Sequence, residues 1–429
     1  MIPKDEVYWF TLKPALAPVE ARTLMPNLST SVVIIGGGMA GLMCAQRLRE
    51  SQVDCIILED KFCGSGATGK SSGFITPDSE LGLRDLLTSV GSQEAKRLWD
   101  FASGGVRAIE ETILRHGIAC DHQAQDSLFV ASSARKAEVI KAEHRAHQRL
   151  GYPSELYSSD ALPAVLGSRS YRGAVRTPDT FGICAYLYCQ ALKDALASGG
   201  MRIYERTPAK HIEEGRVQTD HFVIEADKVI VCTDRFLPEL GIIPNEIYHA
   251  QTFLAVSRPL VESDVARLFP GKPLMVWDTD LIYQYYRLIG GRRLLLGASS
   301  LVQTYCPREK HDPRSILSKM EAYLEKVFPD LNVELEYLWP GMIGVSKDFL
   351  PLAGKHPQFK NTYFMGGAAG LPWAAALGYY MADKLVEGRD DLDSRFTPNR
   401  PFPIGRGIQA ALRKPISFAL SHGVKKYFK

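Results

Sequence analysis

Residues 31–59, SVVIIGGGMAGLMCAQRLRESQVDCIILE, constrain this chain more than any other stretch, because they set out a strand, a glycine turn, a helix and a second strand ending in a carboxylate. Val32 to Ile35 form a continuous apolar run suited to a parallel strand buried on both faces. Gly36, Gly38 and Gly41 follow at G-x-G-x-x-G spacing. Gly36 permits the tight turn, Gly38 lets a pyrophosphate reach the backbone, and Gly41 lets the next helix lie close to the sheet. Met39 and Ala40 open that helix, whose first N–H groups and dipole then point at the phosphates. The helix keeps its period through Leu42, Ala45 and Leu48, and the strand Val53 to Leu58 ends at Glu59, 18 residues after Gly41. Glu59, with Asp60 beside it, is placed to accept hydrogen bonds from an adenosine ribose and to repel a 2′-phosphate, which favours FAD or NAD over NADP. The alternative is a glycine turn in some other βαβ unit, and the complete context argues against it.

At 429 residues the chain is long enough for two or three domain-sized cores, and 45% apolar with 23% charged residues is ordinary for a globular protein. Lys plus Arg against Asp plus Glu is 51 against 48, too balanced for a nucleic-acid partner. Eight cysteines show no C-x-x-C pair, and no His cluster has metal-ligand spacing, so core thiols in a reducing compartment and no metal are expected. The opening MIPKDEVYWF lacks an apolar signal core, so a cytoplasmic location is expected. Residues 361–382 are uncharged and nominally long enough to span a membrane. Gly366, Gly367, Gly370 and Pro372 crowd their first half, so they read instead as a strand (Thr362 to Met365), a glycine turn and a small-residue helix.

A second glycine-rich stretch, Gly64 to Pro77, has too little bulk for a core and suits a loop against a ligand. The pattern from Leu83 to about Leu150 is mostly helical, and strand–helix alternation returns from Tyr186 to Thr233. From Glu246 to Tyr337 the character changes to alternating, aromatic-rich strands: Gln251 to Ser257, Leu281 to Leu288 and Leu294 to Ala298, with Gly290-Gly291 as a hairpin turn. By period two, Tyr283, Tyr285 and Arg287 share one face and Gln284 and Tyr286 the other. These aromatics either pack a sheet or touch a substrate. The fold class is therefore α/β plus antiparallel β. A discontinuous Rossmann-like cofactor domain (28–85, 165–245, 338–392) carries a mainly helical insert (86–164), a smaller antiparallel substrate domain (246–337) and a basic amphipathic tail (393–429).

With the glycine turn, Glu59, the loop GATGKSSG and the late turn GGAAGLP all in order, the chain resembles the FAD-dependent D-amino-acid oxidase superfamily over about residues 30 to 390. The family's loop usually reads G-A-S-G-R-N-x-G. The resemblance implies that Gly66, Ala67, Thr68, Lys70, Ser71 and Ser72 serve the cofactor here, with Lys for Arg and Ser for Asn. It implies Ala209 at the adenine and Thr233 near FAD. It also implies Gly366, Gly367, Gly370 and Leu371 beside the flavin pyrimidine ring, where a helix N-terminus stabilises charge near N1 and O2.

Three departures bear on substrate and attachment. Leu295 stands where sarcosine-oxidase relatives carry an oxygen-assisting lysine, and Ile343 where glycine-oxidase relatives carry a carboxylate-clamping arginine. Neither Gly64 to Thr76 nor Trp339 to Gly344 contains a His or Cys, so noncovalent FAD is expected. The run WPGMIGVSKDFLPLAG looks closest to the γ-glutamylputrescine oxidase branch, whose substrates are amines. The resemblance thus implies hydride transfer from the α-C–H of a primary or secondary amine, a polyamine derivative among them, to flavin N5. The imine then hydrolyses, and oxygen, a quinone or a carrier takes the electrons. Such chemistry asks for positioning and desolvation rather than an acid–base dyad. Tyr283, Tyr285, Arg287 and Trp373 are the pocket candidates, with Trp339 behind them. The alternatives are a D-amino-acid or 2-hydroxyacid dehydrogenase passing electrons to a quinone, or a non-amine flavin-binding protein on the same scaffold. The tail Gly405 to Lys429 holds two Arg and four Lys, no acid, and Ile408, Leu412, Ile416, Phe418, Leu420 and Phe428. It reads either as a peripheral contact with the inner face of a membrane or as a helix packed on its own domain, interrupted at Pro415.

Overall fold

An apolar run must be covered on both sides, and strand Leu28–Ile35 accordingly lies inside a parallel sheet, between Cys55–Leu58 and Val223–Val231. The computed structural model describes residues 3–13, 27–306 and 314–427. Arg202–Tyr204 extends this sheet on one side and Thr362–Gly366 on the other, both in parallel. Ile35 stands opposite Leu58 and Val231, so three strand ends reach the same level. Gly36, Glu59 and Cys232-Thr233 leave the sheet together there, at the carboxyl edge where open α/β sheets take ligands. Helices Met39–Glu50, Ser92–His116, Ala185–Ser198 and Leu371–Glu387 contribute to one continuous core on one side of this sheet. Close approach is built in: a Cβ at Gly378 would lie 2.4 Å from the carbonyl oxygen of Ala40.

The second sheet begins with an antiparallel run, Leu335–Ser346, Ile247–Ser257, Arg293–Ala298, Tyr285–Ile289 and Leu274–Asp278. It continues through Asp126–Val130, parallel to Leu274–Asp278, and ends with Ala174–Thr177 and Glu155–Tyr157. Three expectations change here. Strands Asp126–Val130 and Glu155–Tyr157 come from the span expected as a helical insert, Ala174–Thr177 from a span expected in the cofactor domain, and Leu335–Ser346 crosses the boundary expected at 338. The alternation in these short strands was hidden between strongly helical neighbours. Residues 281–284 are also not strand. Asp278 accepts from the backbone N–H of Asp280 (2.9 Å) and Gln284 (3.3 Å), closing a turn before strand Tyr285–Ile289 begins. Gly290 and Gly291, at φ 51° and 75°, make the tight turn that follows. Tyr286 enters the sheet's core with Ile316, Met320 and Leu324 of helix Arg314–Val327, while Tyr285 faces the other way, toward the first domain.

Residues 361–382 form strand Thr362–Gly366, a turn, and the start of helix Leu371–Glu387. No described helix is long and apolar enough to cross a membrane. Helix Arg406–Tyr427 bends at Arg413 (φ 63°), just ahead of Pro415, and folds back onto the protein. Arg406 pairs with Glu246 at 2.8 Å, and Gln409 Nε2 donates to the Asn245 carbonyl at 3.0 Å. Of the tail's apolar side chains, Phe418 is wholly buried inside the protein, while Ile408, Ile416 and Leu420 are exposed. Phe428 lies outside the described residues.

Candidate active site

Gly36 donates its N–H to the Leu58 carbonyl at 2.8 Å and turns at φ 113°, a conformation that suits glycine. A Cβ at Gly41 would fall 2.0 Å from the Gly36 carbonyl oxygen, so helix and turn meet at backbone contact. Gly38 caps helix Met39–Glu50 without any side-chain hydrogen bond. Its own Cβ position is open apart from Thr68 Oγ1 at 3.3 Å. Met39 N–H donates to that hydroxyl at 3.1 Å, which joins the glycine turn to the second glycine loop. Glu59 accepts from the N–H of Gly37 (2.8 Å) and of Lys61 (3.0 Å) and from Ser65 Oγ (3.3 Å). Burial raises its pKa while these donors pull it back down. Asp60 is exposed beside it, and Ala209 lies half-buried after Thr207, whose N–H donates to the Glu59 carbonyl at 2.8 Å.

The loop Gly66 to Ser72 is held from below by its carbonyls. Trp339 Nε1 donates to the Lys70 carbonyl (3.1 Å), Trp9 Nε1 to that of Ser71 (2.8 Å) and Arg287 Nε to that of Ser72 (2.8 Å). With three successive oxygens turned into the protein, this stretch keeps one backbone orientation. Arg287 is fully buried, donates also to the Ile183 carbonyl at 2.6 Å, and sits over the Trp9 ring. Burial lowers its pKa to about 10. At the late turn, the Asp234 carboxylate accepts from Gly344 N–H (2.6 Å) and Gly367 N–H (2.9 Å), tying Gly366-Gly367 to the second sheet. Burial raises the Asp234 pKa against those same donors. Gly370, at φ 119°, caps helix Leu371–Glu387, again with no side-chain cap.

Between this loop and the second sheet lies a cavity of about 190 Å³. Lys70, Ser71, Ser72, Gly370 and Leu371 form its cofactor side, and Thr252, Trp277, Tyr283, Tyr285 and Tyr305 its sheet side. Glu80 reaches the wall and accepts from the Tyr283 hydroxyl at 2.7 Å. The Tyr285 hydroxyl is 3.2 Å from Thr252 Oγ1, and burial pushes its pKa up to about 12, with Glu80 adding to the rise. Burial and then Glu80 also raise Tyr283 and Tyr305, so the carboxylate acts on three phenols around one space. No arginine lines the cavity among the described residues.

The family DAO, described as FAD dependent oxidoreductase, matches residues 31–384. The chain belongs to the DAO family. Gamma-glutamylputrescine oxidoreductase of Escherichia coli is 28% identical over 404 residues, 90% of this chain and 91% of the relative. Probable oxidoreductase OrdL of Haemophilus influenzae is 27% identical over 355 residues, 79% of each chain. Among solved structures, glycine oxidase from Geobacillus kaustophilus matches with a TM-score of 0.73 at 21% identity, over 88% of this chain and 100% of that one, a likeness of fold. As a DAO member this protein is an FAD-dependent enzyme, and its residues fit the cofactor. Two helix N-termini lack side-chain caps, Gly38 leaves an open cradle, and the buried Thr233 Oγ1 has no hydrogen-bond partner where three strand ends converge.

The cavity separates the expected pocket residues into two pairs. Tyr283 and Tyr285 line the cavity. Arg287 does not, because the loop it holds covers it, and neither does Trp373, whose Nε1 donates to the Pro77 carbonyl at 3.1 Å while its ring packs on Phe101. Both are corrections: period two gives the face of a strand but not what lies over it. Trp339 likewise supports the loop from outside the lining. Sequence reasoning missed Trp9, Glu80, Tyr305 and His422. None left an apolar period in the sequence: His422 is buried alongside Ser417, Phe418, Ser421 and Lys425, four of the five being polar.

Proposed function

We propose that this DAO enzyme oxidises a primary or secondary amine lacking an α-carboxylate, with a polyamine derivative the first compound to try. One observation carries the reading: the sheet side of the cavity holds a carboxylate, Glu80, among three tyrosines, while among the described residues no arginine lines the cavity and its lysine, Lys70, sits on the opposite, cofactor side. A cationic amine leaving water needs an anionic partner, and Glu80 supplies it. The faces of Tyr283, Tyr285 and Trp277 add attraction for the same charge. An α-carboxylate would face repulsion from Glu80, and Ile343 on the cavity wall offers it nothing. FAD, when bound, supplies the hydride acceptor. The protein's part is to desolvate the amine and hold its α-carbon against the loop side of the cavity. The name of the Escherichia coli relative supports the choice of a polyamine derivative.

FAD is held without a covalent bond in this reading, since His422, a histidine on the lining, has both ring nitrogens hydrogen-bonded. The experiment is anaerobic titration of the yellow protein with amines, α-amino acids and 2-hydroxyacids. Bleaching of the oxidised flavin by amines first is expected, and bleaching by 2-hydroxyacids alone would sink the proposal. Mixing the reduced protein with oxygen or with a quinone then assigns the electron acceptor by rate. Peripheral contact with an anionic membrane through exposed Ile408, Ile416 and Leu420 belongs to the same proposal, and vesicle sedimentation with and without residues 405–429 tests it.

A further inference from the structure

The C-terminal helix contributes a side chain to the cavity from outside the span that matches the family, which ends at residue 384. His422 lines the cavity and is 1% exposed. Its ring stacks on Phe349 at 3.9 Å between centroids, and Phe418, one turn earlier, is buried against Ala250, Tyr305, Val345 and Ala369. Both ring nitrogens of His422 have partners: Nε2 lies 2.8 Å from the Ser346 carbonyl oxygen and Nδ1 2.6 Å from the Tyr305 hydroxyl.

With the imidazole neutral, those two contacts fix a direction. A backbone carbonyl only accepts, so Nε2 carries a proton, and in the neutral ring Nδ1 is then the acceptor. The Tyr305 hydroxyl must donate to it. Its proton is committed to His422, and the oxygen turns only lone pairs toward the cavity. Without the imidazole, the hydroxyl would be free to rotate and offer its proton to a substrate acceptor instead.

Resting on the amine reading above, we propose that His422 is a positioning residue of the substrate site. It fixes Tyr305 as a hydrogen-bond acceptor and, held in place by Phe418 packed behind the lining, walls off this end of the cavity. The site thereby selects substrates whose polar end donates hydrogen bonds, as an amine N–H does.

The test is a double-mutant cycle on the full-length, FAD-loaded protein, with KM and kcat measured for the amine that best reduces the flavin. His422→Leu and Tyr305→Phe should each raise KM about tenfold, the worth of one well-made hydrogen bond, with kcat within about threefold. The double variant should be no worse than either single one, and His422→Asn, whose amide oxygen can accept from Tyr305, should recover most of the loss. An unchanged KM in His422→Leu, or losses that multiply in the double variant, would overturn the proposal. Should His422→Leu fold poorly, Tyr305→Phe decides alone, because it keeps the ring and removes only the hydroxyl; an unchanged KM there overturns the proposal too. The two readings fail separately. Amines that reduce the flavin with a KM indifferent to His422 remove this proposal and leave the amine reading standing, whereas the same coupling seen with a 2-hydroxyacid removes the amine reading and supports the wall.

Discussion

The glycine turn and the cavity sit on opposite sides of the same loop, yet they are built by different means. The turn is made almost wholly of backbone from one continuous stretch, in which Gly36, Gly38 and Gly41 meet their neighbours through carbonyls and amides. The cavity is made of side chains, Glu80, Thr252, Tyr283, Tyr305 and His422, brought together from five separate segments. Backbone geometry tolerates few substitutions and so holds a cofactor common to many proteins. A side-chain wall can change one residue at a time, and in the proposed reading the substrate is chosen there.

The largest break in this comparison comes at the turn. Gly41→Ala puts a methyl group against the Gly36 carbonyl oxygen, 2.0 Å away, where only backbone could move, and colourless, largely insoluble protein is expected. Gly38→Val is the sharper variant, because Gly38 already has φ −82° and ψ −173°, which a branched residue adopts. It should fold, with a melting temperature close to that of the wild-type apoprotein, and yet carry little FAD. Full FAD occupancy in Gly38→Val would show that the phosphates do not approach there.

Arg287→Met comes next. It strips donors from the Ser72 and Ile183 carbonyls in a fully buried place, and about 3 kcal/mol of stability should go, along with some FAD affinity. The ratio of kcat/KM for an amine to that for its matched α-amino acid should not move. A shift in that ratio would return Arg287 to the substrate side of the comparison.

Glu80→Gln acts on the cavity wall and leaves the glycine turn alone. A charge-assisted contact is worth about 1.5–3 kcal/mol, so KM for a cationic amine should rise roughly 10- to 100-fold while FAD content stays that of the wild type. An equal rise for an uncharged substrate analogue would mean that Glu80 shapes the wall without binding charge.

The remaining effect is one of pH. Burial raises the Asp278 carboxyl from 3.8 to about 7. Between those values the folded protein binds the extra proton and the unfolded chain does not. The contribution to stability is therefore full below about pH 4 and is lost as pH climbs to about 7, at no more than about 1.4 kcal/mol per pH unit. Asp278→Asn should flatten that slope, so the wild type's melting temperature should fall relative to the variant's between pH 5 and pH 8. Parallel curves would mean that the Asp278 proton is not involved.

The same contrast explains what could be read from the chain. Leu28–Ile35, the glycine turn and Met39–Glu50 were legible because periodicity and glycine spacing act over a few neighbouring residues. Gly290-Gly291 was legible for the same reason. The face of Tyr285 followed from alternation, but the burial of Arg287 beneath a loop more than two hundred positions earlier did not. Glu80 looks like any acid before a helix until the turn at 279–284 brings Tyr283 to it. His422 sits in a tail whose charge suggested a lipid surface, and a count of charges gives no depth.

The parallel pairing of the first sheet also bears on the order of assembly. Leu28 pairs with Ile224, and Val229 with Thr362, so the strand that opens the cofactor site waits for a partner from the middle of the chain, and that partner in turn for one from the last third. Contacts so distant in sequence are slow to close. FAD, which binds only the completed edge, stabilises the finished protein by mass action but cannot hasten steps that precede that edge. Refolding should therefore run at the same rate with or without FAD in its early phase, while the yield of native protein rises with FAD concentration.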